Sequence, residues 1–269
     1  MSLTVEPGLG WLKDPYDARD RTAAALFSLP ATAPNAGSLV LHRGPRIRQG
    51  GTSACVAFAG SRVIRMGLSI QGVIAAPLPS MRFGYGNARR QEWAGLDPDR
   101  VPAVEDRGSY PRLYLEAVRK LGFVPEHVCP FSEERVNAPI SPLTYALSYD
   151  QRGLSYYRLE QGDVFDNVGE AMKRGVPCMF AMTVDRAFLH HSSSKPIDTI
   201  DRKNLVGGHM MAALEWTPEA VLIDNWWGPD WGCDGEGWAW ISRRCFEEHA
   251  RDVFGILAVP QLARRQVAA

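Results

Sequence analysis

Apolar positions along this chain follow two rhythms in turn. Val56, Gly60, Val63, Ile64 and Gly67 recur at three- and four-residue intervals, the repeat of one helical face, and predict a helix that ends near Gly67 or Gly72. The same repeat returns in Leu113, Ala117, Val118 and Leu121, with Pro111 in the first turn and Gly122 as the stop. A third helix is predicted from Val164, Phe165, Val168, Ala171 and Met172, closed by Gly175. The period then shortens. Residues 176–184 read as a buried strand, and further strands are predicted over 206–216, 220–226, 237–242 and 253–259, with a turn at Thr217-Pro218-Glu219. Helices first and an antiparallel sheet later predict an α+β chain.

The segments between these elements are read from turn-forming residues. Residues 1–40 are expected to be loosely structured apart from a short helix over 21–27, and 77–86 to be turn-rich, with Gly84-Tyr85-Gly86 as its clearest break. Residues 87–108 read as polar and irregular, and the proline-rich 125–142 as the bridge between two halves. A polar loop is expected over 190–204 and a frayed tail over 264–269. No internal repeat is visible.

Composition narrows the class. The chain has 269 residues, 45% of them hydrophobic and 22% charged, which is ample for a core and ordinary for a globular protein. Thirty basic and thirty acidic residues cancel, so bulk charge argues against a nucleic-acid or anionic-membrane partner. The start lacks a basic and apolar leader, and the longest apolar run is far short of the ~20 residues of a membrane span. Five cysteines, at 55, 129, 178, 233 and 245, are sparse and lack metal-ligand spacing. They fit a reducing compartment, so the expected location is the cytoplasm, or outside it by a signal-independent route. A Cys233–Cys245 bridge is conceivable from sequence alone. His190 and His191 are adjacent, but no Cys, Asp or Glu cluster accompanies them at ligand spacing, so no metal and no cofactor is predicted.

Candidate chemistry begins at Gln49-Gly50-Gly51-Thr52-Ser53-Ala54-Cys55. A loop of small residues runs into a helix, Ser53 is a candidate N-cap, and Cys55 falls in the first turn, where the peptide dipoles favour a thiolate. A lone helical cysteine is more often a small core residue than a nucleophile. A nucleophile also needs a base and an orienting group, which can lie far away in sequence. His209 sits in the apolar run from Gly207 to Leu214, and Asn225 follows one hairpin later.

These segments resemble the papain-like cysteine peptidases, and their bacterial and viral members more than the lysosomal ones. The order Cys55, His209, Asn225 resembles the family's catalytic triad. Gln49 stands six residues before the nucleophile, where the family's oxyanion-hole glutamine stands, sharing that role with the Cys55 N–H. The family's Asn-Ser-Trp-Gly-x-x-Trp-Gly appears as Asn225-Trp226-Trp227-Gly228-Pro229-Asp230-Trp231-Gly232, departing only at Trp226. By the same resemblance Trp227 shields the His–Asn contact. The opening Gly10-Trp11-Leu12-Lys13-Asp14, with Asp17 and Arg19-Asp20, is similar to the lead-in of bacterial members, and Ala117 to Phe123 to the second helix of the helical lobe. Departures sit beside the nucleophile: Thr52 stands where secreted members have a disulfide cysteine, and Val56 follows Cys55. The Cys55–His209 interval is slightly longer than the ~130–150 residues of the papain group, which implies an insertion.

The resemblance implies one papain-like catalytic domain over 1–269. Its helical lobe spans about 41–135, its antiparallel sheet or barrel lobe about 136–260, residues 1–40 lead in, and the cleft lies between the lobes. It further implies hydrolysis of peptide or isopeptide bonds through a thioacyl-enzyme, on protein or peptide substrates, in a bacterial or phage protein. Only 48 residues precede Gln49, so no separate inhibitory domain is expected there and the site is expected to work without processing. An acyltransferase or amidase would use the same residues, and a catalytically silent binding protein could keep the scaffold.

Overall fold

In a computed structural model, residues 8–18, 20–22, 37–93, 104–160 and 162–258 are described. Helices α1 (Cys55–Ile70), α2 (Met81–Gln91) and α3 (Pro111–Leu121) come first. The second half contains α4 (Pro142–Ser148), β1 (Ser155–Arg158), α5 (Val164–Lys173), β2 (Cys178–Asp185), α6 (Arg186–Leu189) and β3 (Leu205–Trp216). It closes with β4 (Ala220–Asp224), β5 (Trp238–Ser242), α7 (Arg243–His249) and β6 (Ala250–Ala258). The strands form one sheet in the order β1-β6-β2-β3-β4-β5, every pair antiparallel. This is the predicted α+β architecture.

The two-residue period of a strand explains how the layers are joined. In β2, Cys178, Phe180, Met182 and Val184 pack on one side of the sheet with Phe165, Val168 and Met172 of α5 and Phe246 of α7. Met179 and Ala181 face the other way, as do Met210 and Ala212 of β3, and meet Val56, Ala57 and Phe58 of α1 and Tyr114 and Leu115 of α3. Because both faces are covered, β2 is buried almost throughout and β3 from His209 to Leu214.

Several sequence expectations are corrected. Gly84-Tyr85-Gly86 does not break the chain but lies inside α2, which Ser80 caps by accepting the Phe83 N–H at 3.0 Å. A Cβ at Gly84 would overlap one edge of the Tyr114 ring and a Cβ at Gly60 the other, so the glycines mark a close helix approach rather than a turn. Ser53 is not the cap of α1; Ala54 occupies that position without a side-chain bond, and the Ser53 N–H donates to the Asp106 carboxylate at 2.9 Å. The short elements α4, β1 and α7 carry too few residues to show a period and were not predicted. Of the helix expected over 21–27, Arg21 and Thr22 are described and are not helical, Thr22 bridging to Arg158, while residues 23–27, part of the irregular 87–108 segment, Val259 and the tail lie outside the described residues.

Packing at Tyr114 gives a stability test. In an ordinary helix interior Gly→Ala gains about 1 kcal/mol. At Gly60 the added methyl must displace a fully buried ring, and Gly60→Ala is expected to destabilise the protein by about 1–3 kcal/mol instead. Urea unfolding measures it, and a raised midpoint would show that the ring moves aside freely.

Candidate functional site

Cys55 is the first residue of α1, so the free N–H groups of the opening turn surround it, as the dipole argument requires. Its partner strand is β3, whose Met210 amide faces the Cys55 sulfur together with the amides of Gly10, Val56 and Cys55 itself. His209 precedes Met210, and its Nε2 lies 2.8 Å from Asn225 Oδ1. The same Oδ1 accepts the backbone N–H of Trp226 at 2.7 Å. An atom that accepts from an amide is the oxygen, so the ring nitrogen facing it must carry the proton. In the neutral ring Nδ1 is then the base, and Nδ1 is buried without a hydrogen-bond partner. The Trp227 ring covers the imidazole at 4.3 Å between centroids, inclined at 33°.

Gln49 is fully buried, tied through its N–H to the Trp226 carbonyl at 2.9 Å and through its own carbonyl to Thr52 Oγ1 at 3.0 Å. Its Oε1, the Asn225 Nδ2 and the His209 Nδ1 are all buried and unpartnered. Buried polar atoms without protein partners are uncommon in a folded interior, and these three are free to meet water or a ligand. Asn225 and Trp227 bracket His209, the amide of the adjoining Met210 faces the Cys55 sulfur, and Gln49 joins through the Trp226 carbonyl and through Gly8 O, which it shares with Trp227. The five cysteines are all free and buried, and among the described residues no group of His, Cys, Asp and Glu could hold a metal.

The lead-in segment was not expected where it lies. Gly8 to Asp14 crosses the site as a strap. The Gly8 carbonyl accepts from Gln49 Nε2 at 3.1 Å and from the Trp227 indole at 3.2 Å, and the Gly8 N–H donates to Gly50 O at 3.1 Å. Gly10 donates to Gly208 O and accepts from the Ser109 N–H, and the Leu12 N–H returns to Ser109 O. A side chain at Gly8 or Gly10 would overlap the backbone of Thr52 or Ser53, so only glycine lets the strap lie this close. With the strap in place Gln49, Cys55 and His209 are all fully buried, and the site is closed.

Closure reverses the electrostatics expected of a papain-type pair. Burial pushes the Cys55 thiol up to about 12 against the pull of the surrounding amides. Burial likewise takes the His209 imidazole down to about 3 despite its bond to Asn225. Burial therefore disfavours the charged form of both groups, against the helix-terminus amides that favour a thiolate. Sequence reasoning had no signal for this, since Gly8-Leu9-Gly10 reads as any flexible lead-in.

Farther along, the strap is anchored by charge. The Trp11 indole N–H and the Asp14 N–H both donate to Asp252 Oδ2 at 2.8 Å. Asp14 in turn accepts from the Arg112 N–H at 3.1 Å and pairs with Arg158 Nη2 at 3.2 Å. Asp20 pairs with Arg112 at 2.6 Å and contacts Arg158 Nε at 2.9 Å. Burial first, and the Asp252 carboxylate second, push the Asp14 carboxyl up to about 7 against the pull of Arg112 and Arg158.

No protein-family model and no curated protein sequence matches the chain. Solved structures do. The cysteine protease xylellain from Xylella fastidiosa superposes with a TM-score of 0.73 over 96% of this chain and 99% of its own, at 21% identity. Digestive procathepsin L 3 of Tenebrio molitor larval midgut gives 0.63 over 95% of this chain and 77% of its own, at 14% identity. The bromelain protease of Ananas comosus gives 0.61 over 80% and 94%, at 15% identity. The chain has the papain-like fold.

The anchor yields a pH test. In a released strap Asp14 returns to its ordinary value near 3.8. The closed form then holds the proton more tightly, so closure is fully favoured below that value and loses this contribution as pH rises through 7. After correction for intrinsic exchange, the Gly10 and Leu12 amides should lose hydrogen-exchange protection from pH 5 to 8, and Asp14→Asn should flatten the trend. Trp11→Ala removes a bond to a charged acceptor, worth about 1.5–3 kcal/mol, and should speed Cys55 alkylation roughly 10- to 100-fold. Protection independent of pH in the parent would contradict the Asp14 argument.

Proposed function

We propose that this protein is a cysteine-type peptidase whose site is covered by its own lead-in strap. The observation that carries the reading is the carbonyl of Gly8. An amide oxygen already rests on the side-chain N–H of Gln49, the group that an acyl-transfer site needs in order to hold a developing oxyanion. The same Gly8 carbonyl accepts from Trp227, whose ring covers His209, the Met210 amide faces the Cys55 sulfur, and Asn225 fixes the tautomer that leaves a lone pair on Nδ1.

With the strap withdrawn, water reaches the site and the burial that disfavours charge on both groups is relieved. His209 Nδ1 takes the thiol proton, and the Cys55 sulfur attacks the substrate carbonyl carbon. The carbonyl oxygen gains the negative charge and is held by Gln49 Nε2 and the Cys55 N–H. As the C–N bond breaks, Nδ1–H protonates the leaving amine and a thioester remains on Cys55. Nδ1 then takes a proton from water, whose oxygen attacks the thioester, releases the carboxylic acid and restores the thiol. Trp227 keeps solvent from the His209–Asn225 bond, and Asn225 keeps the ring in the plane that serves both steps.

The burial of thiol and imidazole in the closed form, which disfavours charge on both, favours a second reading, a silent scaffold, for as long as the strap stays in place. Substrate profiling with a peptide library above pH 7 separates the two. Cys55→Ala is expected to abolish cleavage with the fold intact, and Gln49→Ala to reduce turnover by roughly 10²–10³. Added hydroxylamine distinguishes hydrolysis from acyl transfer by the product formed, and lysine-branched peptides separate isopeptide from peptide cleavage. Wild-type turnover by Cys55→Ala would exclude the assignment.

A further inference from the structure

Asn225 is the first residue beyond β4, where only its N–H bond to Gly237 O at 2.9 Å continues the pairing, and its side chain must hold His209 to a fraction of an ångström. The residues on either side of it supply the restraint. Asp224 and Trp226 are both fully buried, and both meet the same side chain, Arg62. Arg62 belongs to α1, two turns after Cys55, and is itself fully buried.

Arg62 Nε lies 2.7 Å from Asp224 Oδ2, an ion-pair contact without the alignment of a hydrogen bond. The guanidinium carbon sits 5.9 Å from the centroid of the Trp226 ring. The remaining nitrogens are used as well: Nη1 donates to Arg43 O, and Nη2 to Pro45 O at 2.7 Å. On the far side Arg43 Nε donates to Asp224 Oδ1 at 2.9 Å, and Arg43 Nη1 pairs with Glu236 at 3.0 Å. Trp226 passes the restraint onward, since its indole donates to Met210 O at 2.9 Å and its carbonyl receives the Gln49 N–H. From one side chain on the nucleophile's helix, contacts thus run to both neighbours of Asn225. Trp226 carries them on to the backbones beside His209 and of Gln49.

We propose that Arg62 is a positioning residue of the catalytic site, acting through Asp224 and Trp226 to fix the Cys55 helix against the His209–Asn225 pair. The inference rests on the peptidase reading for its effect on turnover but not for its effect on geometry. The fork is what matters. Lysine would keep the charge opposite Asp224 while losing the simultaneous reach to Arg43 O, Pro45 O and the Trp226 ring. Position is also the costly quantity in such a site, where a misplacement near 1 Å can lower turnover on the order of 10²-fold.

The test compares the full chain with Arg62→Lys. The first readout is solvent exchange of the His209 Nε2 proton, followed by NMR with ¹⁵N-labelled histidine, which needs no substrate. Arg62→Lys should accelerate that exchange at least tenfold while the thermal midpoint shows a folded protein. The second readout is steady-state cleavage of a peptide that the parent cleaves. There kcat should fall on the order of 10- to 100-fold with KM within twofold, and the acid limb of the kcat profile should move. Should Arg62→Lys fail to fold, Arg62→Met combined with Asp224→Asn removes the charge pair together and gives the same two readouts. A folded variant with the parent's exchange rate, kcat and pH profile would overturn the proposal and leave Arg62 a core ion. A parent that cleaves no peptide would instead refute the peptidase reading, and the NMR exchange would still decide the role of Arg62.

Discussion

Helix α1 is buried on nearly every side, and that constraint organises the rest. Its apolar residues face β2 and β3 on one side and α2 and α3 on the other, so its axis is fixed by packing before any polar contact is considered. A helix so enclosed still has a first turn whose N–H groups need acceptors. Here that turn opens onto the site, and Cys55 occupies it. The position most costly to bury without partners is therefore the position that can stabilise negative charge on sulfur and oxygen. The same enclosure dictates that any charge on the helix be answered, which is why Arg62 is met by Asp224 and by two carbonyls.

Much of this was legible in the sequence because the periodic elements are long. The three-and-four repeat in α1 and α5 and the buried run of β2 each extend over several turns or pleats, so their core positions could be assigned, whereas in α3 the repeat took in the half-buried Leu113 and Leu121 and missed the buried Tyr114 and Leu115. The candidate site residues were chosen through their order and spacing, and among them the structure pairs His209 with Asn225 and Trp227. Gly84 and Gly86 were misread because a glycine that lets a neighbouring side chain approach, the Tyr114 ring at Gly84 and Ile140 at Gly86, looks in sequence like a glycine that makes a turn. Ser53 was misread because α1 starts at Cys55, which places Ala54 rather than Ser53 at the cap position.

What could not be read was the relation between distant segments of unlike character. Trp11 and Asp252 are 241 positions apart, and neither belongs to a pattern that predicts the other. Asp252 also adopts a left-handed backbone with φ of 49° inside β6, an unfavourable geometry for a non-glycine residue. Its carboxylate pairs with Arg158 while accepting from the strap, and its N–H is held by Glu160. Such over-determined sites keep a strained backbone in place.

The strap also changes what a measured constant means. A segment covalently tied to the site is a competitor at fixed effective concentration, so every ligand meets only the fraction of molecules that are open. An apparent Michaelis or inhibition constant is the intrinsic one divided by that fraction, and it moves with anything that shifts opening, including salt and temperature. Ratios between two substrates are free of it, because the fraction divides out. A preference determined by competition in one vessel would therefore describe the cleft itself, whereas an absolute affinity would describe the cleft and the strap together.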